Sequence, residues 1–451
     1  MSMPNLPAYI EKAVPNPASN RAPWFKNTAP SYAGVFLWIA FYQSIAVGTL
    51  NHAGPLFCIF ALVVAGLLSY ALFYYAPGML GMKTGYPLYV VGSSTFGTAG
   101  GYIMPGLLMG LLQIGWFAVA TFYAATYILR GFGETPRPAT LVFGIVAVVW
   151  GLVMGYIGAK GIQYVAKVAL IFTIIPALMV IYVFFKTAGG LSTYHVAAPS
   201  SGLAFALLLQ TVLGFFATAG AAGADFGMNS RDGRDVKLGG LFGVALSIVF
   251  AGGLPILAVA GANGLHPGVG FAYDAVISSI GGFGASAMFI LFALASVVPT
   301  CFCIFIAGNS FATMIPSIPR ISSTFVAVII GLALAVSGVA ANLLAVFSLV
   351  GASFGPICGA ILADYLLAGR KWAGPRRGIN WAGYAAWAVG FVIGILPLIG
   401  SVPATIKTYD QPAALYSMIA GFVVYIVVAK LGGEPETVSL ALASAEATKA
   451  V

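Results

Sequence analysis

Long apolar runs, almost free of charge, constrain this chain more than any other feature. Twelve of them follow one another between residues 33 and 431, and only two acidic side chains, Asp225 and Asp364, fall inside them. About 20 apolar residues in a helix cross the roughly 30 Å hydrocarbon core of a bilayer. Of the 451 residues, 60% are apolar and 7% charged, where a soluble domain carries roughly 25% charged residues. So few charges cannot cover a water-facing surface, so lipid must be the solvent for most of the chain. The runs are continuous rather than alternating, which argues against a membrane β-barrel.

The predicted spans are 33–52, 54–77, 101–129, 139–158, 162–185, 203–226, 237–261, 285–311, 323–341, 343–367, 380–401 and 412–431. Turn-forming sequences such as GETPRP and NGLHPG punctuate them. With the N-terminus inside, 16 of the 20 Lys and Arg residues fall on the inner side and only Arg130, Arg137, Lys186 and Lys407 on the outer. That asymmetry predicts both ends in the cytoplasm. Arg231, Arg234 and Lys237, in the loop after the sixth span, are read as topology and lipid-phosphate residues. The formal net charge of +9 therefore reports topology, and nucleic acid is not an expected partner. The proline-rich N-terminus lacks the apolar core of a signal peptide, and the tail beyond Leu431 is polar and expected to be mobile. Cys58, Cys301, Cys303 and Cys358 all lie in apolar segments and read as small buried side chains.

No span carries an ionisable residue at its predicted centre, and His52, His195 and His266 fall at or near the outer side. Carriers of charged solutes and proton pumps usually hold one at the centre. This points to an uncharged solute and to a coupling ion held by hydroxyls and carbonyls. No His–carboxylate cluster or P-loop is present, so an enzyme is not expected. A passive channel is disfavoured by the glycine and proline clusters at mid-membrane depth, where transporters break their helices around substrate.

Three constellations stand out. In the third span Gln113 and Trp116 are three apart and share a helix face. They could hydrogen-bond the edge of a flat heterocycle and stack on its face, or serve as an interhelical bond and core. In the sixth span, GFFATAGAAGADFG sets Phe215, Phe216 and Thr218 beside Gly220. Unwinding there would put aromatic rings and a hydroxyl next to free backbone groups, while the alternative is close helix packing. In the eighth, Ser296 and Thr300 share a face, and Pro299 cannot donate to the carbonyl of Ala295. Those oxygens suit a hard cation, unless the hydroxyls bond back into their own helix.

With LLQIGWFAV, GFFATAGAAGADFGMNSRDGRD and FGPICGAILADYLLAGRKW, the chain resembles the nucleobase–cation symporter family, nearest its bacterial cytosine-permease branch. The resemblance covers essentially the whole chain. It implies an all-α fold of twelve helices, a LeuT-type five-plus-five inverted repeat followed by two C-terminal helices. The divisions are then a tail 1–32, repeats 33–185 and 203–367, spans 380–431 and a tail 432–451. It implies broken first and sixth helices flanking the substrate, with Gln113 and Trp116 matching the permease's third-span pair. Phe216 and Thr218 match its stacking ring and hydroxyl, and Phe215 stands where the permease has a serine. Its sodium ligands fall near Ala295, Val298 and Pro299, or one residue on at Ser296 and Thr300. Carbonyls between Phe41 and Ser44 would complete that set if the first helix breaks there. The function implied is import of a nucleobase or related small heterocycle, cytosine first and a purine second, across the bacterial inner membrane. The coupling ion is Na⁺ or H⁺, with no other cofactor and no obligate protein partner. An amino-acid carrier on the same core is the alternative.

Overall fold

In the computed structural model, residues 6–161 and 174–440 are described. Helices and connecting loops account for them, and the only extended pairings among them are two isolated bridges, Ala22 with Ser230 and Arg376 with Thr437. The first span is split into α1 (Thr28–Phe36) and α2 (Ile39–Ser44). There follow α3 (Pro55–Thr84), a short α4 (Leu88–Phe96), α5 (Gly100–Gly131), α6 (Leu141–Lys160) and α7 (Ile174–Thr193). The same order then recurs: α8 (Ser201–Ala221) with a one-turn α9 (Gly223–Gly227), α10 (Gly233–Leu265), a short α11 (Tyr273–Ile280), α12 (Gly282–Met314), α13 (Arg320–Val336) and α14 (Leu343–Leu367). Two further helices, α15 (Trp381–Leu398) and α16 (Ala413–Lys430), close the order.

Ten of these helices are long and apolar enough to cross a membrane. The other two expected spans differ: the first is split, and α13 is shorter than the rest. The start of the fifth predicted span, with Lys167, and the distal tail, with Lys449, lie outside the described residues. Pro77 was expected to end the second span, yet α3 runs on to Thr84. The wide turn Ser69–Tyr74 just before it has already shifted the hydrogen-bond register, so the missing proline N–H is tolerated.

Two short helices were not anticipated, because each lies where hydropathy is interrupted. Helix α4 is buried along nearly its whole length and its first N–H, on Leu88, bonds to Asp225. Helix α11 buries Tyr273, Asp274, Val276 and Ile277. The C-terminal segment is also docked rather than loose up to Val438, whose N–H bonds to the carbonyl of Pro375 at 2.7 Å.

Loop contacts sort onto two opposite faces. On one, Arg21 bonds to the Met82 carbonyl, Asn16 to Asn229, Trp24 N–H to Asp235, and Lys83 to the Arg370 carbonyl. Arg21, Lys83 and Arg370 of the predicted inner set therefore share a face. On the other, Arg130 pairs with Asp274, and His52 Nδ1 lies 2.7 Å from the Ala198 carbonyl.

Candidate functional site

The first span breaks at Leu37 and Trp38. Trp38 is extended, at φ −83° and ψ 139°, between helical neighbours. No glycine or proline stands at those two positions, so the break comes from what the segment packs against. Phe36 stacks on Phe216 at 5.5 Å, and the Tyr32 hydroxyl donates to the Ala219 carbonyl at 2.8 Å. Both anchor α1 to α8. The break had been expected between Phe41 and Ser44. Phe41 and Ser44 are instead buried within α2, and the Ser44 hydroxyl faces its own Ala40 carbonyl.

An aromatic cluster gathers around the break. Trp116 on α5 touches Trp38 at 5.2 Å, Phe215 at 5.3 Å and Phe347 of α14 at 5.7 Å between ring centroids. Phe41 lies 4.9 Å from Phe215. Two of these contacts are edge to face: Trp116 meets Trp38 at 61° and Phe215 at 72°, the usual preference of aromatic pairs. Gln113, one turn before Trp116, is buried, and its Nε2 finds the Met109 sulfur at 3.7 Å. A thioether is a weak acceptor, so the carboxamide retains capacity for a better one. The Trp38 indole N–H is buried without a partner. Thr218, one turn along from Phe215, is also buried.

The sixth-span residues separate. Phe215 faces Trp116, whereas Phe216 turns the other way onto Phe36 and Tyr32. Helix α8 does not unwind at Gly220. It continues to Ala221, and only Ala222 separates it from α9, with the Ala222 N–H still bonded to the Thr218 carbonyl at 3.0 Å. The glycines there serve close approach. A Cβ on Gly214 would come within 2.5 Å of the Phe347 carbonyl oxygen, one on Gly220 within 2.7 Å of the Phe73 Cβ, and one on Gly227 within 2.1 Å of the Gly78 carbonyl oxygen. The tenth-span cluster behaves likewise. Helix α14 runs through Pro356, and a Cβ on Gly359 would meet the Met418 carbonyl oxygen at 2.2 Å.

In the eighth span the hydroxyls are turned inward on their own helix. Ser296 donates to the Phe292 carbonyl at 3.2 Å and Thr300 to the Ser296 carbonyl at 2.5 Å. The residues of α12 that face the break are Ala295, Val298 and Pro299. Together with Gly34, Leu37, Trp38 and Pro176 they line a cavity of about 30 Å³.

Two acids are buried where the sequence suggested solvent or a span end. Asp274, read as a loop residue, accepts from Gln43 at 2.8 Å and pairs with Arg130 at 2.9 Å, while Tyr127 donates to Gln43 at 3.0 Å. That cluster joins α2, α5 and α11 above the aromatic site. Asp364 accepts from Ser94 and Thr95 and pairs with Arg376 on the opposite face. Neither arrangement had a sequence signal, since both depend on helices folded against distant loops.

Comparison with known proteins agrees with this architecture. The family model described as "Permease for cytosine/purines, uracil, thiamine, allantoin" matches residues 14–424. The cytosine permease of Escherichia coli strain K12 is 27% identical over 358 residues, covering 77% of this chain and 80% of that protein. Among solved structures, the fold is similar to the inward-facing conformation of Mhp1, with a TM-score of 0.72 at 17% identity, covering 96% of this chain and 94% of that one. It is also similar to Mhp1, a nucleobase-cation-symport-1 family transporter, in a closed conformation with bromovinylhydantoin bound, with a TM-score of 0.66 at 15% identity and coverages of 92% and 94%.

Proposed function

Because the chain belongs to the family of permeases for cytosine/purines, uracil, thiamine and allantoin, we propose that it carries an uncharged nucleobase across the membrane through the aromatic site at the first-helix break. It is a multi-pass membrane transporter and not an enzyme. Cytosine is the first candidate, by likeness to the cytosine permease, and a purine the second.

The observation that carries the reading is chemical. Trp38, Trp116, Phe215 and Phe347 pack as one ring cluster, and among the described residues no charged side chain is in ring contact with it. The Gln113 carboxamide and the unpartnered Trp38 N–H offer one acceptor and two kinds of donor. A planar ring with both donors and acceptors on its edge satisfies these groups without bringing a charge into low dielectric. Trp116 and Phe215 stand edge to face at 5.3 Å, too close for a ring to lie between them. One must rotate to admit substrate, and stacking on the freed face, at about 1–3 kcal/mol per base, offsets the lost pair contact. Phe215, rather than Phe216, takes the role of opposing ring in this reading.

The Arg130–Asp274–Gln43 cluster and the Asp364–Arg376 cluster lie on opposite sides of the site, so each is placed to hold one face shut while the other opens. We place the chain in the bacterial cytoplasmic membrane with both ends inside, on the positive-inside rule. Uptake of radiolabelled cytosine, adenine and uracil into proteoliposomes tests the function, with lysine as the control. Saturable uptake of a heterocycle that the others compete for is expected. Saturable lysine uptake with none for any heterocycle overturns it.

A further inference from the structure

We infer that this transporter works independently of sodium, because among the described residues the cavity at the first-helix break offers a cation backbone carbonyls alone. The inference rests on the transport reading for its meaning, but its test needs no substrate.

The cavity lies between α12 and the break in the first span. Only three of its carbonyls are freed by local geometry. Helix α1 ends at Leu37, so the Gly34 carbonyl loses the partner a continued helix would bring. The Phe41 N–H, which a continued helix would give to Leu37, bonds to the Trp38 carbonyl at 2.9 Å instead. Pro299 has no N–H for the carbonyl of Ala295. Beyond these, the described lining side chains are Leu37, Trp38, Pro176, Ala295, Val298 and Pro299, and none of them bears an oxygen.

A hard cation needs roughly six oxygen ligands to compensate for its lost hydration. Three carbonyls supply half that number, and among the described residues no carboxylate lines the space. The neighbouring hydroxyls of Ser296 and Thr300 are fully buried, already bonded within α12, and absent from the lining. The sequence register explains the loss: the face of α12 toward the break carries Val298 and Pro299, and the hydroxyls fall one residue on. The space of about 30 Å³ matches a single water, which carbonyl acceptors suit.

Trp38 lines the cavity and is one of seven tryptophans, so emission is read together with melting temperature. The purified full-length protein is titrated with NaCl against choline chloride, following tryptophan emission and melting temperature without substrate. Emission and melting temperature that track total salt alike in both, up to about 100 mM, are expected. A saturable response to Na⁺ that choline does not reproduce overturns the inference. The double variant Val298→Ser, Pro299→Thr puts two hydroxyls on the lining face and is expected to gain a saturable Na⁺-specific rise of a few degrees. Val298→Ser alone serves if the double variant does not fold. A folded variant that stays indifferent to Na⁺ also overturns the assignment, because the missing oxygens would then not be what excludes the ion.

Discussion

Replacing Arg376 by Met tests how far the packing of α4, α14 and α16 depends on one buried charge. Arg376 is 6% exposed and Asp364 2%. The guanidinium pairs with Asp364 at 2.9 Å and with Glu434 at 2.9 Å, and it donates to the Ser94 carbonyl and the Tyr425 hydroxyl. It thereby joins the loop before α15 to α14, α4, α16 and the C-terminal segment. Removing one member of a buried ion pair costs about 3–5 kcal/mol, because the partner is left charged and dry. Asp364 keeps the hydroxyls of Ser94 at 2.6 Å and Thr95 at 2.9 Å, so the lower end applies and Arg376→Met is expected to cost about 3 kcal/mol. Asp364→Leu is expected to cost a similar amount. The double replacement should cost less than the sum of the two by about 2–3 kcal/mol, since an apolar pair leaves no orphaned charge at position 364, while Glu434, a quarter exposed, keeps the Tyr425 hydroxyl. Denaturant unfolding in mixed micelles across the four proteins gives the coupling directly. A coupling near zero would refute the argument and move Arg376 to the role of a tether for Glu434 alone.

Trp116→Ala is expected to weaken nucleobase binding roughly ten- to a hundred-fold, and Trp116→Phe less, because ring area is the proposed contact; Gln113→Leu should remove discrimination between heterocycles with different edges, and isothermal titration checks both. Phe215→Ala should weaken binding more than Phe216→Ala, which should instead lower stability. Gly227→Ala must displace the Gly78 carbonyl, 2.1 Å from the new Cβ, and is expected to cost about 1–3 kcal/mol. Gly144→Ala, whose Cβ meets only Val336 at 3.9 Å, is expected to be neutral or better in the same melting assay. Asp410, half-buried in the loop before α16, is pushed by burial up from 3.8 to about 6. The fold then holds its proton more tightly than the unfolded chain does, so stability is fullest below about pH 4 and falls as pH rises to about 6. Asp410→Asn should flatten that slope and raise melting temperature at pH 7.5, by an amount worth about 1 kcal/mol or less at this half-exposed site.

What the sequence by itself determined follows from period and solvent. Runs of about 20 apolar residues with two acids inside them fix a helical membrane protein, and the skewed Lys and Arg count predicts a shared side for the basic loops, of which Arg21, Lys83 and the Arg370 backbone meet on one face. The pair Gln113 and Trp116 was legible because a three-residue spacing puts two side chains on one helix face. Which face meets which neighbour was not legible, because periodicity ranks the faces of a helix without orienting them. Only the tertiary structure set Phe215 rather than Phe216 against Trp116. It also turned Val298 and Pro299, rather than Ser296 and Thr300, toward the break. The break itself fell between Leu37 and Trp38, two residues that favour helix locally, because Tyr32 and Phe36 are held against α8 and the segment beyond must turn to bury Phe41 beside Phe215. The glycines of the sixth and tenth spans read equally as hinges or as contacts, since lost Cβ atoms permit both. Backbone carbonyls standing within 2.1–2.5 Å of where Cβ atoms of Gly214, Gly227 and Gly359 would be decide for contact, and that proximity exists only once distant helices have packed.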